Sequence, residues 1–214
     1  MGPAITFACC EAVAATLDMS GVGVSLYGQP MHGSDPATMG LEDRQFILGE
    51  GPLIDAFVGR VDVEAPEATP VWGQDWLELR LPTFGIGATF AFPMVVGKAC
   101  LGSVTFYRRD AGPLSGGQRT LARLAADAAA LETATLLLDA HSGDRPVPAL
   151  RRIHELQQAV GVVMAQLGVD ADEATARIRA HSYHSERPLA DVLSDLLRDQ
   201  LALPDDRPPG TRRS

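Results

Sequence analysis

The sequence has no apolar run near the ~20 residues needed to span a membrane, because charge or glycine interrupts every long hydrophobic stretch. It also lacks a basic segment ahead of its apolar start, MGPAITFACCEAVAATL, which Glu11 breaks, so this stretch reads as a helix of the folded chain and not as a secretory leader. Cysteine is scarce. There are three, Cys9 and Cys10 adjacent and Cys100 distant. An odd number without disulfide or metal-ligand spacing excludes a disulfide scaffold, assigns no metal site and points to a reducing cytoplasm. Cys9 and Cys10 read as small buried hydrophobes, with a redox pair as the alternative. Positive charge is not in excess either: the net charge is −9. Bulk attraction therefore does not hold this chain on nucleic acid, and any such partner has to be met by a local patch. Catalytic chemistry is equally thin. His32 is a lone loop histidine without ligand-spaced partners, and in GEGP (Gly49 to Pro52) Glu50 opposes anion binding, so no catalytic residue is assigned and no enzyme is expected.

What is present suffices for a core. A chain of 214 residues, 46% hydrophobic, suits one large domain or two small ones. GVGVSLYG (Gly21 to Gly28), ATFAFPMVV (Ala88 to Val96) and LGSVTFYRR (Leu101 to Arg109) are β-branched and aromatic runs bounded by glycine, and Pro93 marks an edge or a bulge. Pro52 opens a short helix with Leu53, Ile54, Phe57 and Val58 at helical spacing. Trp72 and Trp76 share the four-residue spacing of a helix face, over a pocket or in the core. Ser115 caps a long helix with an apolar stripe through Leu121, Leu124, Ala128, Leu131 and Thr135, expected to close the domain.

A polar run with one glycine and two prolines, residues 139–148, reads as a linker between a first domain at 1–138 and a second at 149–203, with a disordered tail at 204–214. The second domain has no β-like run. Ala149, Ile153, Leu156, Val160, Val163 and Leu167 follow an a/d seam suited to a dimer or a bundle contact. Gly168 stops this helix, Asp170 with Glu173 forms a capping box for the next, whose core candidates are Ala174, Ile178 and Tyr183, and Leu189, Val192, Leu193, Leu196 and Leu197 stripe a third. Gly161, unfavourable inside a helix by roughly 1 kcal/mol relative to alanine, reads as a position where a neighbouring helix crosses closely.

The string QQAVGVVMAQLGVDADEATARIRAHSYHSERPLADVL resembles the ANTAR domain, a three-helix RNA-binding module of bacterial transcription antiterminators; Gln158, Ala159, Gly161, Met164, Glu173, Ile178, Arg179, Arg187 and Val192 carry the match. Upstream, GVGVSL, GEGP, FAFPMVVG and LGSVTFYRRDAGPLS look like the GAF domain that precedes ANTAR in actinobacterial regulators. The resemblance implies an α+β chain: a GAF-like antiparallel sheet with flanking helices, then an all-α three-helix ANTAR bundle. It further implies a homodimer, binding of paired hairpin loops in nascent mRNA, and a GAF pocket for a small ligand of unknown identity. A cofactor is not specified.

The second domain carries six arginines against eight acidic residues, so RNA contact has to come from a few guanidinium groups placed for phosphates and unstacked bases. Arg179, Arg187 and Arg177 are the candidates, with Gln158 and His184 beside them, while Ile153, Leu156, Val160 and Val163 form the dimer or bundle seam. Four positions depart from the family's habit. Val160 stands where lysine is frequent, Glu186 where asparagine is, and Ser182 and Leu193 where alanine is. Loss of a cation and gain of a carboxylate favour a second reading, a sensor or interaction protein whose bundle no longer binds RNA. A thiol-based GAF-fold reductase is a third reading, but it needs a resolving thiol near a reactive one, and the cysteine spacing offers none.

Overall fold

The computed structural model describes residues 4–67, 84–141 and 151–204. Trp72, Trp76, Ala149 and the tail from 205 onward lie outside the described residues. The chain divides into two compact units, residues 1–149 and 150–214.

In the first unit α1 (Ala4–Thr16) leads into β1 (Gly21–Leu26) and β2 (Gln29–Gly33), followed by α2 (Pro36–Leu48), α3 (Pro52–Gly59), β3 (Val63–Ala65), β4 (Ala88–Val96), β5 (Ala99–Arg108) and α4 (Gly116–His141). The five strands form one antiparallel sheet in the order β2-β1-β5-β4-β3. The GVGVSLYG run ends as a strand at Leu26. Tyr27 (φ 51) and Gly28 (φ 76) both take left-handed backbone, and Leu26 pairs Gln29 across them, the two-residue turn whose twist suits a hairpin. Pro93 lies beyond the reach of the three-residue β3, which pairs only with Thr89, Phe90 and Ala91, and a register shift follows at Met94/Val95. The expected edge and bulge thus coincide. His32, read as a loop residue, sits in β2 with its Nε2 2.8 Å from Glu11 Oε1.

Alternation sorts the sheet into two unlike faces. One presents Val22, Val24, Phe90, Phe92, Val104 and Phe106, all fully buried, on the side of α1 and α4. The other presents Gly21, Gly23, Ser25, Ser103, Thr105 and Tyr107 to α2 and α3. Gly23 leaves the space that the Glu42 side chain occupies, because a Cβ would lie 2.2 Å from the Glu42 carboxyl carbon. Glu42 is wholly buried. The Tyr107 hydroxyl donates to Glu42 Oε1 (2.6 Å), Gln45 Nε2 donates to the Tyr107 oxygen (2.6 Å), and Gln45 Oε1 accepts from the Leu53 amide (2.8 Å). Burial pushes the Glu42 carboxyl up to about 8 despite the Tyr107 hydrogen bond, and the same burial with the neighbouring Glu42 raises the Tyr107 phenol.

Helix α2 had no apolar stripe to betray it. Its signal is at its start, where Asp35 accepts from the Ala37 and Thr38 amides and Pro36 occupies the first turn, and at its end, where Gly49 closes it in left-handed conformation. Helix α4 begins with a full capping box: Gln118 N donates to Ser115 Oγ and Ser115 N donates to Gln118 Oε1. The stripe expected to close the domain does not do so. Ala122, Ala125, Ala126, Ala129 and Ala130, with Thr133, are the buried positions described on α4, and small side chains let the helix lie close on the sheet, whereas Leu124, Leu131 and Leu138 are 58%, 63% and 72% exposed.

The second unit holds α5 (Arg151–Leu167), α6 (Ala171–His184) and α7 (Leu189–Leu197), packed on one another in all three pairings. Ile153, Leu156, Val163 and Leu167 from α5, Ala174 and Ile178 from α6, and Leu189, Val192, Leu193 and Leu196 from α7 make its core. A fully buried side chain of this size contributes about 1.5–3 kcal/mol. Tyr183, taken as a core candidate, is 43% exposed, and its neighbour Ser182 is buried instead, its Oγ donating to the Arg187 carbonyl (2.7 Å). That bond ties the end of α6 to the turn before α7, a task alanine cannot perform. No helix of the described residues is long and apolar enough to cross a membrane.

Candidate nucleic-acid interface

The caps fix the orientation of the side chains on α6. Gly168 (φ 63) stops α5 with its amide on the Met164 carbonyl (2.8 Å), and Asp170 Oδ1 then accepts from the Glu173 amide (2.9 Å) to start α6. The Glu173 side chain does not return to complete the expected capping box. It reaches forward and pairs with Arg177 one turn on, at 2.8 Å.

The five residues singled out for RNA contact fall into different settings. Gln158 is exposed on α5. Arg179 is half-buried on α6, and burial lowers its guanidinium below the ordinary arginine range. Arg187 pairs with Asp195 of α7, an ion pair that spans the α6–α7 turn. Arg177 and His184 lie on one face of α6 and come together with His181, which sequence inspection passed over. The spacing 177, 181, 184 is the i, i+4, i+7 signature of one helix face and was available to find it. Tyr183 sets its ring edge-on to His184, centroids 5.7 Å apart. Of the seam residues, Ile153, Leu156 and Val163 are buried within the bundle, whereas Val160 is only half-buried and Ala159 takes the fully buried place.

Gly161 is corrected by the structure. A Cβ built there meets nothing within 4 Å, so no helix of this bundle crosses close to it. Gly161→Ala should therefore stabilise the isolated chain by about 1 kcal/mol in urea or thermal unfolding. An unchanged or lowered stability would show that the backbone at this position is not open.

Thiol chemistry finds no support in the first unit. Burial pushes Cys10 up to about 12 and also raises Cys100, the reverse of the activation a reactive thiol needs.

A family model for the ANTAR domain matches residues 148–197. These residues are an ANTAR domain. The match spans α5, α6 and α7. Solved structures supply the other likeness. A domain described as part of a two-component sensor histidine kinase protein from Sinorhizobium meliloti 1021 shares 11% identity at a TM-score of 0.52, over 66% of this chain and 96% of that one. The photoproduct state of GAF3 from Slr1393 of Synechocystis sp. PCC6803 shares 20% identity at a TM-score of 0.49, over 64% and 96%. A search of curated proteins finds no match.

The ANTAR domain makes sense of one departure noted above. Glu186 takes left-handed backbone (φ 52), a conformation that asparagine tolerates and glutamate rarely adopts. The asparagine that the resemblance led one to expect would suit the turn itself, so Glu186 costs local strain as well as adding a carboxylate. Val160 costs nothing comparable, since a half-buried valine fits the rim of the α5 core face.

Proposed function

We propose that this chain is an RNA-binding transcription antitermination regulator of the cytoplasm, whose ANTAR domain binds paired hairpin loops in nascent mRNA as a homodimer and whose GAF-like unit serves sensing or dimerisation. The observation that carries the reading is the ANTAR match over a bundle with Gln158 and His184 exposed and Arg177 half-buried beside His184. The arginines donate in a planar fork and stack on bases, so a few suffice on a domain without net positive charge. Domain limits at 1–138, 149–203 and an intervening linker accord with the two compact units.

The homodimer is supported by α4. Its exposed residues Leu124, Leu131 and Leu138 recur every seventh position, with Leu121, Ala128 and Thr135 between them completing a heptad seam. Leucine at each d position of such a seam suits a two-stranded partner. The exposed leucines support a dimer contact on α4, while Ile153, Leu156 and Val163 of α5 are buried in the bundle.

Fluorescence anisotropy with an RNA of two adjacent hairpins tests the RNA reading. The unmodified chain should bind, with affinity falling as salt rises, and Gln158→Ala and Arg179→Ala should each weaken it by roughly tenfold. Absence of binding favours the second reading, in which Glu186 and Val160 have left a bundle for protein or ligand contact. Recovery of binding in Glu186→Asn would then identify the carboxylate as the obstacle.

A further inference from the structure

Beyond α7 the chain turns back, and Leu203 and Pro204 come to lie against α6. Together with Arg177, Ala180, His181 and His184 they line a half-open cleft of about 280 Å³. Leu203 is buried there, 6% exposed. We propose that this cleft receives one unstacked nucleobase of a bound RNA loop; the proposal rests on the RNA-binding reading and adds a site to it.

Size, shape and charge converge on that occupant. The volume falls just under the 300–1,000 Å³ of ordinary small-molecule pockets, room for one planar ring system. Ala180, Leu203 and Pro204 give the lining its aliphatic part, and His181 and His184 contribute flat rings. Flat rings and arginine planes are what single-stranded RNA bases stack on. Arg177 is held in place from two sides: Nη2 pairs with Glu173 Oε1 at 2.8 Å, and Nη1 donates to the Pro204 carbonyl at 3.2 Å. The first contact matches its charge and the second joins α6 to the returning chain. Arg177 therefore offers the cleft an oriented plane and not an unbalanced cation, which favours a base over a bare phosphate.

Hydrogen-bonding capacity remains for reading an edge. His184 Nδ1 lies 2.7 Å from the Ala180 carbonyl, which can only accept, so Nδ1 carries a proton and Nε2 is the ring nitrogen left for an outside partner. The His181 ring makes no side-chain hydrogen bond among the described residues. Two ring edges thus await a donor or acceptor from outside. The ANTAR match ends at residue 197, so Leu203 and Pro204 lie beyond the matched residues.

Two measurements on the full chain decide the matter. In the first, the two-hairpin RNA is titrated against the double variant His181→Ala/His184→Ala and against Ala180→Leu, which adds bulk to the cleft lining from an exposed helix position. Both should bind about tenfold more weakly, with circular dichroism unchanged. Wild-type affinity in both variants overturns the cleft while RNA binding stands. In the second, the ring proton resonances of His181 and His184 are followed during addition of adenosine 5′-monophosphate. Both should shift and saturate, and Ala180→Leu should abolish the shift. Should the unmodified chain bind no RNA, the RNA reading fails by itself, and the nucleotide titration still judges the cleft: rings that stay unmoved overturn it.

Discussion

Leu131→Glu should leave a folded monomer at concentrations where the unmodified chain sediments as a dimer. Leu131 is 63% exposed in the single chain, so its replacement costs the monomer little, within about 0.5 kcal/mol for a surface position. The buried alanines of α4 on the opposite face are untouched. In a dimer the same leucine is covered, and its burial contributes about 1.5–3 kcal/mol per copy. Two copies lost, with two carboxylates brought together at the seam, weaken association by at least about 100-fold. Leu124→Glu should act in the same direction, and Val58→Glu, at a side chain 71% exposed on α3, should not. Sedimentation velocity distinguishes the outcomes. A monomeric parent, or a Leu131→Glu variant that dimerises as its parent does, rejects the α4 seam.

Stability should also fall as pH rises between about 4.5 and 8, and Glu42→Gln should remove much of that slope. The unfolded carboxyl ionises near 4.5 and the folded one near 8, because burial disfavours its charged form. Within this window the folded state holds a proton that the unfolded state has released. Folding then takes up a proton, and stability drops by up to ~1.4 kcal/mol per pH unit. The contribution is complete below 4.5, is lost through 8 and is level above. The amide that replaces the carboxyl never ionises, so the variant should lie close to its parent at pH 5 and exceed it by several kcal/mol at pH 8. Urea unfolding of both proteins across this range supplies the comparison, and parallel curves would refute the assignment.

Much of the architecture was legible because local chemistry specifies it. Asp170, Gly168 and Ser115 act through hydrogen bonds to their own turns and need no distant partner. The strands around Val24, Phe92 and Phe106 announce themselves by composition, and the ANTAR string by its spacing. Helix α2 escaped notice since its buried positions include Thr38, Glu42 and Gln45, which no hydrophobic pattern counts as core.

Apolar residues at helical spacing reveal that a helix has a face to cover, without saying what covers it. The sequence alone therefore determined the α+β division, the caps and the domain order. Which stripe faces inward was settled by tertiary structure. On α4 the alanines went to the sheet because close approach favours small side chains, which turned the leucines outward. On α5 the seam went into the bundle because α6 and α7 are tethered beside it by short turns. Gly161 was left facing open space for the same reason, and His181 met Leu203 and Pro204 only because the chain doubled back after α7.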